Sequence, residues 1–454
     1  MNVTIHISSD CSTEIYQSVL DHFQSRGYTI RRLLPPGSTH EIGSLEVTSS
    51  DIEDMSEDTV AFVASLSSHG ILVVDHSEHQ EKTFSANIRH NAHKKPLSHH
   101  GNRPNASIGS YFYANTMAKI YQLNTVPLPT TRVNIAIISL GGGFNPSDLS
   151  LYWGAENLGI IQPKVYSVSI NGATNKPGVA ADVENLLDIQ VCGSVSPYSN
   201  IYVHFAPNSA QGFYNAIYAA VNNTTTPFKV ISISWGAPEK YWSASYLSAM
   251  NNLFATAAAK GITVCVASGD NGSSDGITGL NVDFPSSSPY VLACGGTSLS
   301  CPANVYSSTT KETVWGASDS ITGTGGGYSN VFAKPSYQNT ISTLQSISKR
   351  AVPDVAGNAD PKTGWIIAYK GQLYAVGGTS AVAPMWAGYL SRLELTKAVT
   401  PLLYSIYPSV LLGFRDTTSG TNGAYNASLG WDPCTGMGSP NGKVLSPILL
   451  KYAR

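Results

Sequence analysis

The sequence predicts an α/β protein: a parallel sheet with helices on both faces, preceded by a small α+β domain. Three observations lead there. From residue 133 onward, near-continuous apolar runs alternate with amphipathic stretches. That is the pattern of strands buried on both faces and joined by covering helices. Before residue 85, shorter runs follow the order βαββαβ, a ferredoxin-like arrangement. Between the two lies a segment of quite different composition.

In the first part, NVTIHI (2–7) reads as a strand. Residues 12–26 carry helical spacing through Ile15, Val19, Leu20 and Phe23. TIRRLL and SLEVTS read as strands, with PPG at 35–37 as a turn between them. Residues 51–68 read as a helix with an acidic start, and ILVV (71–74) as the last strand. The segment 85–108 is rich in His, Lys, Arg, Asn and Pro, with little apolar periodicity. Its irregular spacing favours a solvated, protease-accessible tether over a metal site. In the large part, VNIAIISL, KVYSVSI, NIYVHFAP, KVISISWG, ITVCVASG and YVLACGG read as strands, and 180–194, 208–222 and 243–259 as helices. The domain division is therefore 1–84, 85–108 and 109–454.

Composition narrows the function. Charged residues make up 12% of the 454, about half the usual share of roughly 25%. Apolar residues make up 42%, enough for a large core, which excludes disorder throughout the chain. The net charge of −2 gives no basic field for nucleic acid. No apolar run is long enough to span a membrane, and MNVTIHISSDCSTE turns polar too early for a secretory leader. Charge is unevenly divided. Residues 1–104 hold 8 basic against 13 acidic residues, and the remainder 19 against 16. Opposite signs suit an acidic segment docked on a larger body. None of the six cysteines forms a CxxC pair. Cys265 and Cys294 sit in apolar runs and read as buried thiols; a Cys294–Cys301 bridge stays open.

Three strings carry candidate chemistry. In GGTSAVAPMWAGYLSRL (377–393), Ser380 opens an apolar helix, where free backbone N–H groups suit an oxyanion. A plain N-cap is the alternative for an isolated Thr-Ser. A nucleophilic serine needs a base, and the large part has a single histidine, His204, in the middle of a strand. The base must be something else. In GVAADVENLLDIQVCG (178–193), Glu184 and Asp188 are four residues apart, beside an apolar arc with Leu187 and Val191. Two buried carboxylates cannot both ionise easily, so one can serve as base or acid. In VCVASGDNGS, Asp270 ends a buried strand, flanked by Gly269 and Gly272. It reads either as a turn residue or as a neutral acid donating to an oxyanion.

Together with AIISLGGGF, YVHFAPNS, SISWGAPE, VDFPSSSPYVLACGGTSL, VPDVAGNADP and GWDPCTGMGSP, these strings resemble the sedolisin, or serine-carboxyl peptidase, family, and its kumamolisin-like branch most. The resemblance runs over about 108–454. It implies a subtilisin-like sheet and an endopeptidase site active in acid. Ser380 takes the place of the nucleophile, Glu184 of the base, Asp188 of its support and Asp270 of the oxyanion residue. Trp235, Gly269, Asp283 and Gly378 fall in the substrate cleft. Asp283 falls where a basic side chain, two residues before the scissile bond, would be received. One Ca2+ is implied, held by the carboxylates of Asp416 and Asp432 and the carbonyls of Thr417, Ser428 and Gly430.

The chain departs from the family pattern in three places. Ser139 stands where a glutamate extends the carboxylate network towards Trp235. Ser428 replaces a glycine, which a carbonyl ligand tolerates if φ stays negative. The first domain is shorter than family pro-domains. The expected function is thus an acid-active serine-carboxyl endopeptidase, made as a self-processing zymogen. Its partners are protein or peptide substrates and its own N-terminal segment as intramolecular inhibitor, and it acts as a monomer. A tripeptidyl-peptidase activity and a non-catalytic binding protein are the alternatives. The family is usually secreted or sent to an acidic compartment, and the sequence leaves the location open.

Overall fold

The computed structural model describes residues 2–7, 13–25, 29–34, 43–48, 71–75, 85–86, 95–96, 107–108 and 110–453, apart from 157–160, 317–321 and 408. The predicted 51–68 helix, the PPG turn and Cys11 lie outside these residues.

Six parallel strands form the central sheet, in the spatial order Lys164–Ser169, Ser199–Phe205, Val133–Ser139, Val230–Ile233, Thr263–Ala267 and Leu292–Ser300. Val355–Asn358 pairs parallel with the last of these, and Lys311–Val314 pairs with it antiparallel. Alternate residues of a strand face opposite sides, and the apolar strands use both. Ile135, Ile137, Ile201 and Val203 join the core beneath the helices Asp182–Val195 and Val382–Leu393. Ala136, Ile138, Ile231 and Val264 join the core beneath Ala210–Val221 and Ala244–Ala259. The predicted fold class holds, and its six strands fall where the apolar runs placed them.

The strand order matters for the site. Val133–Ser139 connects outward in one direction and Val230–Ile233 in the other. In such sheets the crevice forms beyond the carboxyl ends of strands at this reversal. Ser139 and Ser234 sit at those two ends.

Near the N-terminus, Thr29–Leu34, Gly43–Thr48, Asn2–Ile7 and Ile71–Asp75 form an antiparallel sheet in that order, with Thr13–Ser25 as its described helix. This is the ferredoxin-like strand order expected for βαββαβ. Ile71–Asp75 lies against the helix Ala244–Ala259 of the main body.

Within 85–108 the described residues are 85–86, 95–96 and 107–108, and each of these pairs lies in a strand pairing that the tether reading did not foresee. Ser85–Ala86 pairs antiparallel with Gly236 and Trp235, and Lys95–Pro96 pairs antiparallel with Ala375 and Tyr374. Ser107–Ile108 closes a short pair with Tyr111–Phe112. A polar segment without apolar periodicity can still be ordered by the unpaired N–H and C=O groups of an edge strand.

Candidate active site

The helix Asp182–Val195 is buried along its whole length, and its three acids, Asp182, Glu184 and Asp188, are buried with it. It packs against the segment that holds Ser380. Gly378 there has φ +126°, which a side chain would strain, and the turn delivers Thr379 and Ser380 to the start of the helix Val382–Leu393. Glu184 and Ser380 are 0% exposed, Asp188 1% and Asp270 2%.

Ser234 ties these parts together. Its hydroxyl lies 2.7 Å from Asp188 Oδ1 and 3.3 Å from the Ser380 carbonyl oxygen, and so has an acceptor on each side. In return, Ser380 Oγ donates to the Ser234 carbonyl at 3.5 Å. Asp270 is anchored from the other side. Its Oδ1 accepts from both the amide and the hydroxyl of Thr379, each at 2.8 Å. The Gly269 amide donates to Thr379 Oγ1 at 3.1 Å. The loop strand behind holds the backbone, with Gly323 N on Asp270 O at 3.0 Å and Gly325 N on Gly269 O at 2.8 Å.

Burial pushes Glu184 well above the usual carboxylate range, and repulsion from Asp188 adds to this. Hydrogen bonding towards Ser380 pulls the other way, and Asp270 raises it further. Asp188 is also held well up by burial, opposed by the Ser234 hydroxyl. Among the described residues neither Glu184 oxygen has a hydrogen-bond partner within 3.5 Å. Catalytic contacts in a substrate-free site are often this loose and tighten on binding. The main body's single histidine, His204, is buried in the strand Ser199–Phe205, and burial pushes it down to about 4. It takes no part in this cluster.

The predicted cleft residues gather on one side. Trp235 and Gly236 start the short strand Trp235–Pro238 directly after Ser234. Asp283 pairs across from Pro238, and its carboxylate presses on Gly236 so closely that a Cβ there would fall 2.0 Å from Oδ1. A cavity of about 650 Å³ continues along Lys240, Tyr241, Asn271, Ser274 and Ile277. Ser139, in place of a glutamate, donates to Asn185 Oδ1 at 2.5 Å. Among the described residues Trp235 Nε1 has no hydrogen-bond partner.

The predicted calcium set lies elsewhere, in the loop after the strand Phe414–Arg415. Asp416 Oδ2 accepts from Gly430 N at 2.8 Å, and Asp432 Oδ2 from Ser428 N at 3.1 Å. Asp432 Oδ1 accepts from the amides of Cys434 and Thr435, each at 2.9 Å. Burial raises Asp416, and pushes Asp432 up to about 6 with Asp416 adding repulsion. Ser428 lies outside the positive-φ region, as its replacement of a glycine requires. Among the described residues no three or more His, Cys, Asp or Glu side chains gather as a metal cluster.

Sequence reasoning passed over Ser234 and Thr379, the residues that link the carboxylates to the Ser380 segment. Both stood in strings singled out for a neighbour, SISWG for its tryptophan and GGTS for its serine. It also passed over Asp275, a buried residue of the loop after Asp270. Burial and repulsion from Asp270 push it up to about 7. The five described cysteines are all buried and free, which closes the Cys294–Cys301 alternative.

The subtilase family model matches residues 164–397, half of the chain. A solved structure of Pseudomonas sedolisin, a serine-carboxyl proteinase complexed with two molecules of pseudo-iodotyrostatin, superposes with a TM-score of 0.68 at 30% identity, covering 77% of this chain and 99% of that one. The chain belongs to the subtilase family, in its sedolisin branch. Kumamolisin from Bacillus sp. (strain MN-32) is 46% identical over 342 residues, 70% of this chain and 60% of that protein. Human tripeptidyl-peptidase 1 is 32% identical over 306 residues, 60% of this chain and 52% of that protein. The chain thus spans about three fifths or less of the length of these curated relatives.

Proposed function

We propose that this chain is an acid-active serine-carboxyl endopeptidase. Ser380 Oγ attacks the peptide carbonyl, and Glu184 takes its proton and later returns it to the leaving amine. Asp188 supports Glu184, and protonated Asp270 donates to the oxyanion. The reading rests on one observation above all: a buried carboxylate pair at a buried serine, with the body's one histidine outside the cluster. Two buried acids at this spacing share one proton in mild acid, so Glu184 is ionised as a base needs to be while Asp188 carries the proton. A denatured protein incubated across acidic to neutral pH tests it. Cleavage confined to acid and lost in Glu184→Gln supports the reading. Cleavage lost at every pH, even after removal of residues 1–84, favours the binding-protein alternative. Release of successive tripeptides in place of internal fragments favours the exopeptidase alternative.

The rest of the reading is regulatory and structural. Residues 1–84 act as an intramolecular inhibitor: the strand Ile71–Asp75 lies against the helix Ala244–Ala259, and Ser85–Ala86, just after the domain, takes the edge at Trp235. Asp283, pressed on Gly236, would receive a basic side chain two residues before the scissile bond. A peptide library tests that preference.

The calcium set is supported by its all-oxygen chemistry. Asp416 and Asp432 repel each other, and Arg350–Asp354 is the sole ion pair among the described residues. The buried Thr417 Oγ1 also has no hydrogen-bond partner there. A cation held by these two carboxylates and the carbonyls of Thr417, Ser428 and Gly430 would offset the repulsion and tie the loop. A chelator should then lower the Tm, and added Ca2+ should restore it.

A further inference from the structure

Two segments leave the catalytic cluster side by side: the turn after the strand Trp235–Pro238, and the loop after Asp270. Between them lies the cavity of about 650 Å³, with Lys240 and Tyr241 on one wall and Asn271, Ser274, Ile277 and Thr278 on the other. Among the described residues Lys240 is the one charged group in its lining. Lys240 is exposed, and no carboxylate pairs with it, Arg350–Asp354 being the sole ion pair among the described residues. Its neighbour Glu239 is buried and held elsewhere, accepting from Ser329 Oγ at 2.6 Å and from Asn330 N at 2.8 Å. Asp275, in the facing loop, is buried and outside the lining. The hollow therefore presents one uncompensated cation among neutral groups.

Strand register decides which part of a bound polypeptide reaches it. The edge of Trp235–Pro238 accepts an antiparallel chain, with Ser85 opposite Gly236 and Ala86 opposite Trp235. An extended chain in that place runs with its amino end towards Pro238 and Lys240. The Ser234 carbonyl is the acceptor of Ser380 Oγ, which puts the attacked residue of such a chain opposite Ser234 and the residue opposite Pro238 four before it. We propose that this cavity receives an acidic side chain of the polypeptide substrate, about four or five residues before the scissile bond, and that Lys240 selects it. This rests on the peptidase reading above. Main-chain pairing at a sheet edge supplies affinity without sequence preference, and the side-chain hollows beside it supply the preference. With Asp283 receiving a base, the cleft favours an acid upstream and a base nearer the bond. An exposed ion pair contributes modestly and is screened by salt, and a contact this far from the reacting atoms acts on binding more than on turnover.

The test uses the full chain at about pH 5.5, above the ordinary glutamate value of about 4.3, so that a glutamate in the peptide is charged. A peptide with one cleavable bond carries Gln at each of the six positions before it, and Glu replaces these one at a time. The expected result is a rise in kcat/KM of about two- to fivefold for Glu at the fourth or fifth position and not at the others. The rise should come through KM and fade towards about 1 M salt. Lys240→Ala should remove it, and Lys240→Glu should turn it into a fall. Lys240→Gln, a milder change at an exposed position, gives the same reading if either variant fails to fold. No rise at any position, a rise only nearer the bond, or a rise that survives in Lys240→Ala or Lys240→Gln overturns the assignment. Cleavage of the peptides in those cases leaves the peptidase reading standing. Failure to cut any peptide or a denatured protein overturns both.

Discussion

Two of the places where this molecule buries carboxylates resolve the cost in opposite ways. At Asp354 every lone pair has a purpose. Arg350 meets it through two nitrogens at 2.7 and 2.6 Å, Tyr404 OH donates to Oδ1 at 2.8 Å, and the Ala293 amide donates to Oδ2 at 2.8 Å. Both partners are 0% exposed. At Glu184 and Asp188, among the described residues, there is no cation, one hydroxyl bridge, and two acids facing each other. The first arrangement keeps a charge in the core by pairing it. The second keeps acids in the core by making them hold protons. The Asp354 carboxylate is fully partnered, whereas Glu184 is left short of hydrogen-bond partners among the described residues, as the proposed proton transfer would need.

The contrast yields predictions that can break it. The largest effect belongs to the nucleophile. Ser380→Ala should lower kcat by at least about ten-thousand-fold, with the fold unchanged by circular dichroism. Retained turnover would detach the cluster from the chemistry. Next, Arg350→Ala leaves Asp354 buried without its cation, and should cost about 3–5 kcal/mol in chemical denaturation.

Asp188→Asn should behave in the reverse way. The amide oxygen still accepts from Ser234, and a like-charge neighbour of Glu184 is gone. Stability should hold or rise while kcat falls about a hundred-fold or more. A large loss of stability there would make the two carboxylate sites equivalent after all.

The smallest effect is on pH-dependent stability. Glu156 is buried; its oxygens accept from Asn115 N at 2.9 Å and from Ser194 Oγ, yet burial still pushes it up to about 7. Its unfolded value is about 4.3. The native state therefore binds more protons than the unfolded chain between those values. The stability Glu156 contributes is fully present below about 4.3 and is lost as pH rises through about 7. Glu184, Asp188 and Asp275 have the same sign. Thermal melts should show the chain more stable in mild acid than at neutral pH, and Glu156→Gln should flatten part of that slope. A Tm that climbs from mild acid to neutrality would contradict the raised carboxylates.

Much of this was legible in the chain. Strands buried on both faces announce themselves by unbroken apolar runs, so KVYSVSI and ITVCVASG were placed to within a residue or two. The shortage of acids in the large part made the pair at Glu184 and Asp188 stand out on an apolar helix. The failures share a cause. Ser234 and Thr379 are ordinary hydroxyls whose roles come from what stands opposite them. Glu156 and Ser194 are 38 residues apart, and nothing in the string joins them. The His- and Asn-rich 85–108 segment has no period of its own, so it reads as a free tether; the pairings of Ser85–Ala86 and Lys95–Pro96 come from the edges they meet at Trp235 and Tyr374.

What the sequence determined by itself was therefore periodic or compositional: the α/β class, the strand and helix positions, the residue types that could do acid chemistry, and the absence of a histidine base from the main body. Those features live in neighbours along the chain, where spacing fixes which face a side chain takes. The tertiary structure alone decided which residues of distant segments meet. It set Asp182–Val195 against the Ser380 turn, put Ser234 between them, and paired Asp354 with a cation while placing none at Glu184 among the described residues. Burial and partnership set the energy of a charge, and both belong to the packed chain.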